Sequence, residues 1–234
     1  MVDAEVLKRA AAKEAVKTID DGDILGLGSG TTVKHFIEEL AAKIKRDRLS
    51  LSVVSSSFDT SLLASENGLS LTTLDEHPKL SKCFDGADKV DKNLDMIKGG
   101  GGCHTREKII ASASDEVMIL VDYTKLIDKI TGNNSIPVEI IPFSYRTVSE
   151  RISRSGGELK LRFAGSSKLG PVLGDNGGFI GDVTFPEEKD LGRLDNLLNS
   201  IPGIIEHGLF LNMADVVYVS YERRVETLRK GKRQ

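Results

Sequence analysis

Short apolar runs alternate with amphipathic segments through the first half of the chain, and this alternation limits the folds available to it. The runs Ile24–Leu27, Leu51–Val54 and Val117–Val121 have the length and composition of buried strands. Between the first two, one helical face carries Val33, Phe36, Ile37, Leu40 and Ile44. Strands that alternate with helices predict a largely parallel sheet with helices on both faces.

The pattern changes near Thr131–Asn134, whose composition is that of a linker. From Val138 to His207 the predicted order is strand, helix, strand, strand, helix, strand, which is the ferredoxin-like arrangement. A last apolar strand, Ala214–Ser220, can rejoin the first sheet. We therefore predict a Rossmann-like α/β domain formed by residues 1–131 and 208–234, with an inserted ferredoxin-like α+β domain at residues 132–207.

Composition disfavours several classes of protein. The net charge of the 234 residues is −3, which does not suggest a general nucleic-acid binder. The basic end, Arg223-Arg224 and then Arg229–Arg233, is interpreted as a solvated tail. No apolar run reaches the length of a membrane span, and Met1-Val2-Asp3 does not begin a signal peptide. The two cysteines, Cys83 and Cys103, fit a reducing compartment. We therefore expect a cytoplasmic protein that contacts neither nucleic acid nor a membrane.

A first glycine turn, Gly28-Ser29-Gly30-Thr31-Thr32, connects a predicted strand to a helix N-terminus. Unpaired amides and the helix dipole favour an anion there, and the hydroxyls of Ser29, Thr31 and Thr32 can add donors. The third glycine of a dinucleotide fingerprint is missing, and no Gly-Lys-Ser/Thr closes a Walker loop. The turn predicts phosphate or carboxylate binding, or else only a tight connection with a hydroxyl cap.

A second cluster, Phe84-Asp85-Gly86-Ala87-Asp88, follows the end of another predicted strand. A further strand is predicted earlier in the chain, at Leu69–Leu74. Ligands of open α/β sheets bind at the carboxyl ends of strands. Asp85 and Asp88 can hydrogen-bond sugar hydroxyls or take part in proton transfer, or they can cap their own turn. No metal site is predicted, because the spacing of a calcium loop is absent and Cys103-His104 is not a zinc spacing.

A third cluster begins with Lys98, which is followed by four consecutive glycines, Gly99–Gly102, and a predicted helix. Glycine amides can approach a ligand closely because no side chain intervenes. Glu107 lies about one turn into the helix, where its carboxylate can point back toward the same space. A cation, bare amides and a carboxylate can together move a proton next to a carbonyl group. The alternative is a flexible turn followed by a capped helix.

These segments together resemble the type A ribose-5-phosphate isomerase family. The resemblance rests on GLGSGTTVKHFIEEL, FDGADKVD, IKGGGGCHTREKII, VDYTKL, IPVEIIP, GPVLGDNGGFI and IPGIIEHGLF. It covers nearly the whole chain in the family's order, and the family's fold agrees with the one predicted above. The first turn reads Gly-Ser-Gly-Thr-Thr where many members have Gly-Thr-Gly-Ser-Thr, so a hydroxyl remains at each of the three positions.

The resemblance implies interconversion of ribose 5-phosphate and ribulose 5-phosphate through an enediolate, in the non-oxidative pentose phosphate pathway. It implies that Glu107 is the general base, that Lys98 and the amides of Gly99, Gly100 and Gly101 face the reacting oxygens, and that Lys125 is a further substrate contact. The remaining substrate contacts would fall on Ser29, Gly30, Thr31, Thr32, Asp85, Gly86, Ala87 and Asp88. No cofactor and no metal are implied, the larger domain would be catalytic, and the family implies a homodimer or homotetramer.

Three other functions fit parts of the pattern. A non-catalytic sugar-phosphate sensor would keep the phosphate turn but could lack a base, which Lys98 and Glu107 argue against. An isomerase or deaminase for a different sugar phosphate would be separated by turnover across a panel of sugars. A nicotinamide dehydrogenase is disfavoured by the missing third glycine.

Overall fold

The computed structural model describes residues 3–167 and 169–231 of the chain. The helices are α1 Ala4–Ala15, α2 Thr31–Asp47, α3 Phe58–Glu66, α4 His104–Ser112, α5 Tyr145–Arg154 and α6 Leu191–Asn199. The strands are β1 Ile24–Leu27, β2 Ser52–Ser55, β3 Leu80–Asp85, β4 Lys89–Val90, β5 Met96–Ile97, β6 Ser114–Asp122, β7 Ile136–Ile140, β8 Glu158–Leu161, β9 Phe179–Thr184, β10 Ile204–His207, β11 Leu209–Phe210, β12 Val216–Ser220 and β13 Val225–Arg229.

The chain divides into two compact units. Unit 1 comprises the described residues within Met1–Ala87, Arg106–Leu126 and Asn212–Gln234, and unit 2 comprises Asp88–Thr105 and Ile127–Leu211. The domains predicted from sequence differ from this division, because they placed residues 88–105, 127–131 and 208–211 with the larger domain. Residues 88–105 contain β4 and β5, which pair with each other, while β5 also pairs with β11. The assignment of catalysis to one domain stays a prediction.

The sheet of unit 1 confirms the predicted parallel architecture. Its strand order is β13-β12-β6-β3-β1-β2, and every neighbouring pair is parallel except β12 with β13. Leu25 and Leu27 of β1 lie in an apolar core that contains residues of α1 and α2. Gly26 points to the opposite face, where an added Cβ would lie 2.3 Å from Cγ2 of Ile110 in α4. Helices therefore cover both faces of this sheet.

Two segments of unit 1 differ from the sequence-based expectation. Leu69–Leu74 is not a strand, since it joins the sheet only through a single bridge between Val53 and Leu71. Leu69 is buried in the apolar core but Leu71 is 43% exposed, so only the start of this run is packed. The basic end is not simply a solvated tail, because Arg229 ends β13, which pairs along its whole length with β12. Lys232 and Arg233 lie outside the described residues.

Unit 2 confirms the predicted ferredoxin-like arrangement. Strands β7 to β10 form an antiparallel sheet in the order β10-β7-β9-β8, with α5 following β7 and α6 following β9. The apolar face of α5, Val148 and Ile152, and that of α6, Leu194 and Leu198, share one buried cluster with β7. A smaller antiparallel sheet has the order β11-β5-β4. Within the described ranges, no helix is both long and apolar enough to cross a membrane.

Candidate active site

The candidate residues are distributed over both units, because the division falls within α4, after Thr105. Each group is described within its own unit. Unit 1 carries Ser29, Gly30, Thr31, Thr32, Asp85, Gly86, Ala87, Glu107 and Lys125. Unit 2 carries Asp88, Lys98, Gly99, Gly100 and Gly101.

In unit 1, most of the candidates follow the carboxyl ends of parallel strands. Strands β1, β3 and β6 run parallel and neighbour one another, so their carboxyl ends lie at one edge of the sheet. The first loop, Gly28–Thr32, follows β1, Asp85 ends β3, and Lys125 ends the 3₁₀ turn after β6. This edge is where open α/β sheets bind ligands.

The first loop is held against Asp85 by close packing and hydrogen bonds. A Cβ on Gly28 would lie 1.8 Å from Cγ of Asp85, so only glycine fits at this position. The Asp85 side chain is 2% exposed, and its Oδ1 accepts hydrogen bonds from the amides of Ser29 at 3.3 Å and Gly86 at 2.7 Å. Gly86 in turn lies beside Thr32, since its Cβ would be 3.9 Å from Cβ of Thr32. The structure thus brings two predicted clusters together within unit 1.

The N-terminus of α2 is open to an anion. Gly30 is its N-cap residue, with φ 95°, and glycine has no side chain that could cap the helix amides. Gly30 and Thr31 are exposed, and Thr32 is partly buried. The 17 residues of α2 give a helix long enough to carry a full macrodipole, whose positive end lies at this loop.

A cluster of hydroxyl groups supports the first loop and was missed by the sequence analysis. Oγ of Ser29 lies 2.8 Å from Oγ of Ser56 and 2.8 Å from Oγ of Ser57. Oγ1 of Thr60 lies 3.2 Å from Oγ of Ser29 and donates to the carbonyl of Gly28 at 2.8 Å. The signal for this cluster was present, because Ser56 and Ser57 follow the carboxyl end of β2.

Glu107 lies in the first turn of α4, as the sequence predicted. Its side chain belongs to unit 1 and is buried, with 5% of the residue exposed. A carboxylate near a helix N-terminus interacts favourably with the helix dipole. Glutamate is rarely buried to this degree. A glutamate that only capped the helix at the surface would be exposed, so the burial of Glu107 argues for a further role.

Lys98 belongs to unit 2 and is also buried, with 4% of the residue exposed. It follows β5, and its amide donates to the carbonyl of Gly208 at 2.9 Å. The ammonium Nζ lies 5.4 Å from the ring centroid of Phe210, a distance at which the ring attracts a cation. An ammonium group in such a buried position would act on a nearby negative charge more strongly than it would in water.

The glycine loop, Gly99–Gly102, is tightly folded and contacts Asp88. Gly99 and Gly102 have φ angles of 106° and 76°, which favour glycine, and the amide of Gly102 donates to the carbonyl of Gly99 at 2.9 Å. The amide of Gly100 donates to Oδ2 of Asp88 at 2.7 Å. The structure therefore brings Asp88 and the glycine loop together, and the amide of Gly100 is engaged by this carboxylate.

Arg162, which is paired with Asp182, makes a second contact with the glycine loop that the sequence analysis missed. Nη1 of Arg162 donates to the carbonyls of Gly99 and Gly100, both at 2.8 Å. Nε and Nη2 of Arg162 donate to the two carboxylate oxygens of Asp182, both at 2.7 Å. Arg162 is 62 residues from Gly100 in the sequence, and no local pattern indicated the contact.

A buried carboxylate, Glu139, organises a further part of unit 2. It is fully buried in β7 and accepts hydrogen bonds from the hydroxyl of Thr105, the side-chain amide of Asn176 at 3.1 Å and the amide of Gly178 at 3.2 Å. These contacts join the start of α4 to the turn before β9. Within residues 3–167 and 169–231, no group of three or more His, Cys, Asp or Glu side chains is arranged to hold a metal ion.

A family model and a relative of known sequence agree on one protein family for this chain. The profile described as ribose 5-phosphate isomerase A (phosphoriboisomerase A) matches residues 52–224. The ribose-5-phosphate isomerase A of Methanococcus vannielii is 40% identical over 230 residues, which are 98% of this chain and 95% of the relative. A family match over most of the chain and a relative of this identity show that the chain belongs to the ribose 5-phosphate isomerase A family.

Solved structures agree with this assignment. The structure of ribose 5-phosphate isomerase A from Methanocaldococcus jannaschii has a TM-score of 0.91 and 42% identity, and the match covers 97% of this chain and 100% of that one. A structure of D-ribose-5-phosphate isomerase in complex with phospho-erythronic acid has a TM-score of 0.92 and 39% identity, with 97% and 100% covered. The predicted α/β fold with its antiparallel insertion is therefore confirmed.

Proposed function

We propose that this protein is an aldose–ketose isomerase that interconverts D-ribose 5-phosphate and D-ribulose 5-phosphate. Family membership supports the reaction, and a relative in complex with phospho-erythronic acid supports the substrate class. Phospho-erythronic acid is a phosphorylated four-carbon acid whose planar carboxylate resembles an enediolate. The observation that carries the proposal is the burial of Glu107 in the first turn of α4, where a carboxylate can act as a base away from bulk water.

The proposed reaction needs one base and one group that stabilises negative charge. Glu107 removes the proton from C2 of the open-chain sugar, and negative charge then grows on the C1 oxygen. Lys98 and the amides of the glycine loop stabilise that charge. Protonated Glu107 returns the proton to C1 while the proton of the C2 hydroxyl passes to the C1 oxygen, so that C2 becomes the carbonyl carbon. One carboxylate serves both carbon steps because C1 and C2 are adjacent.

The remaining candidates bind and prepare the substrate. The first loop binds the phosphate at the N-terminus of α2, which holds the sugar so that its reacting carbons meet the base. Asp85 or Asp88 assists the opening of the furanose ring, and Gly86 and Ala87 line the sugar. Lys125 supplies a further cation to the substrate from the turn after β6.

The decisive test is an isomerase assay on ribose 5-phosphate with the variant Glu107→Gln. Glutamine keeps the size of the side chain but cannot accept the proton, so we expect kcat to fall by about 10²–10⁴-fold. Exchange of the C2 proton with solvent should fail to the same extent. The matched control is Glu116→Gln, which changes an exposed glutamate of β6 in the same unit and should leave kcat unchanged.

Two outcomes would contradict the proposal. If the wild-type protein does not isomerise ribose 5-phosphate, the substrate is wrong. If folded Glu107→Gln keeps about a third or more of wild-type turnover, far above the loss expected for a general base, Glu107 is not the base. Asp85 and Asp88 are then the carboxylates to replace next.

We further propose that the protein works in the cytoplasm as a homodimer or homotetramer. The proposal of an oligomer follows from the resemblance to the family, and several large apolar side chains of unit 2 are exposed, among them Phe143, Phe163 and Leu169. Exposed apolar surface of this kind is typical of interfaces between subunits. A monomeric mass in light scattering at micromolar concentration would contradict this proposal.

A further inference from the structure

The peptide group between Gly99 and Gly100 is held at both ends by charged side chains. Its carbonyl accepts a hydrogen bond from Nη1 of Arg162 at 2.8 Å, and its amide donates to Oδ2 of Asp88 at 2.7 Å. A cation on the oxygen and a carboxylate on the N–H bond both favour the same orientation of the peptide dipole. Hydrogen bonds to charged groups are about twice as strong as neutral ones.

The next peptide group is oriented by the same arginine. Nη1 of Arg162 also donates to the carbonyl of Gly100 at 2.8 Å. In a trans peptide the C=O and N–H bonds point in opposite directions. Two carbonyls that turn toward one guanidinium therefore direct the amides of Gly100 and Gly101 away from it. One of these amides is bound by Asp88.

Apart from the hydrogen bond from the amide of Gly102 to the carbonyl of Gly99, nothing within the glycine loop favours this arrangement. Glycine populates both signs of φ with similar ease, and Gly99 has φ 106°. A run of glycines can therefore rotate its peptide groups at little steric cost. Contacts from outside the loop must select one orientation, and Arg162 provides two of them.

Arg162 is itself fixed by Asp182. The two side chains form a bidentate pair, with Nε to Oδ2 and Nη2 to Oδ1 both at 2.7 Å. The hydrogen bond to Asp182 and the negative charges of Asp182 and Asp88 raise the pKa of Arg162. Burial raises the pKa of Asp182, but its hydrogen bonds to Arg162 and Ser135 and the charge of Arg162 outweigh burial, so the pKa is lowered overall. Both side chains are charged at neutral pH, which keeps the guanidinium directed at the loop.

We propose that Arg162, anchored by Asp182, is a positioning residue that fixes the two peptide groups after Gly99 and Gly100, so that the amide of Gly101 is oriented for stabilisation of the enediolate. This inference rests on the proposed function for its catalytic part. Arg162 needs no contact with the substrate in this role. The role requires an arginine, because one planar guanidinium holds two carbonyls and a carboxylate at once, whereas a lysine ammonium lacks that fork of donors.

The experiment compares Arg162→Lys and Arg162→Met with the wild-type protein and a matched control. The control is Arg154→Met, which replaces an exposed arginine of the same unit that pairs with Glu150 on the surface of α5. For each protein we measure kcat and KM for ribose 5-phosphate, and the affinities for phospho-erythronic acid and inorganic phosphate. Hydrogen exchange of the peptide that spans residues 97–104 gives a readout that does not depend on activity.

Arg162→Met should lower kcat by about 10–100-fold, somewhat less than the loss of a whole oxyanion donor. Affinity for phospho-erythronic acid should fall by a similar factor, because its carboxylate needs the same oriented amide of Gly101. KM and the affinity for inorganic phosphate should change by less than about threefold, since the first loop is untouched. Exchange in residues 97–104 should accelerate in both Arg162 variants and stay unchanged in Arg154→Met. Arg162→Lys should recover only part of kcat.

The outcomes separate this inference from the proposed function. If wild-type protein lacks isomerase activity, the proposed function fails and the catalytic part of this inference fails with it, while exchange still decides whether Arg162 orders the loop. If wild-type protein is active but both Arg162 variants keep kcat and the affinity for phospho-erythronic acid, the positioning role is refuted. Equal loss of phosphate and phospho-erythronic acid affinity would also refute it, since that pattern indicates general unfolding of the protein.

Discussion

The first loop and the glycine loop are both rich in glycine, but different parts of the protein determine their conformations. The first loop, Gly28–Thr32, connects a buried strand to a long helix, and its amides are directed by the start of α2. The glycine loop, Gly99–Gly102, follows a strand of two residues and is oriented by Asp88 and Arg162. Secondary structure thus directs the amides at the start of α2, with Asp85 supporting the turn before it, whereas charged side chains orient the glycine loop.

This difference indicates a division of tasks. A helix N-terminus is a fixed positive site that suits a permanent anion such as a phosphate group. Amides held in a fixed orientation by charged side chains suit a charge that develops only during the reaction. We therefore expect changes at the first loop to alter KM and changes at the glycine loop to alter kcat.

The largest effect should come from removal of the substrate's phosphate. Free ribose lacks the group that the first loop binds, and at least two hydrogen bonds to a charged partner are lost. At about 1.5–3 kcal/mol each, their loss should lower kcat/KM by about 10²–10⁴-fold. Steady-state kinetics with both sugars test this expectation, and inorganic phosphate should compete weakly with ribose 5-phosphate. Similar values of kcat/KM for the two sugars would assign the first loop a structural role only.

Replacement of the cation beside the glycine loop should act on kcat instead. Lys98→Met keeps the buried aliphatic chain and its packing against Phe210 but removes the charge, so kcat should fall by about 10²–10³-fold with a smaller change in KM. Lys160→Met is the control, because Lys160 is an exposed residue of β8 in the same unit. An increase in KM at constant kcat would contradict the division of tasks.

Much of the first loop was predictable because its determinants are local in the sequence. The strand Ile24–Leu27, the turn and the amphipathic helix each have a recognisable pattern, and parallel strands bring their carboxyl ends to one edge. Asp85 was predicted to lie there for the same reason. The hydroxyl cluster could have been found by the same argument, because Ser56 and Ser57 follow β2.

The conformation of the glycine loop was not predictable in this way. Glycines carry no periodicity, and the side chains that orient them lie far away in the sequence. Arg162 comes just after β8, and Asp182, which anchors it, lies in β9. Arg162 follows the edge strand β8, and nothing local in the sequence distinguishes it from other arginines. The predicted strand at Leu69–Leu74 failed for a related reason, since burial at a sheet edge depends on distant neighbours.

A smaller loss of kcat should follow from Gly100→Ala. A Cβ at this position would lie 2.6 Å from Oδ1 of Asp88, so the carboxylate must move and release the amide of Gly100. We expect kcat to fall by about tenfold, less than for the loss of a whole donor, with little change in KM. Gly192→Ala in α6 is the control, because its Cβ would only approach Oδ1 of Asp190 at 3.4 Å. A kcat equal to that of the control would show that the contact with Asp88 does not matter for turnover.

The smallest effect should come from the support of the first loop. Thr60→Val keeps the shape of the side chain but removes the hydrogen bond to the carbonyl of Gly28 and the contact with Ser29. A buried carbonyl without its donor costs about 1–3 kcal/mol, so the free energy of unfolding should fall by that amount. Because the loop is displaced rather than removed, KM should rise only severalfold, with kcat nearly constant. Thr72→Val removes a hydroxyl that bonds Glu76 near the surface and is the control in denaturant titrations and kinetics. If Thr60→Val lowers kcat and leaves KM unchanged, the first loop contributes to the chemical step and the separation between the two loops does not hold.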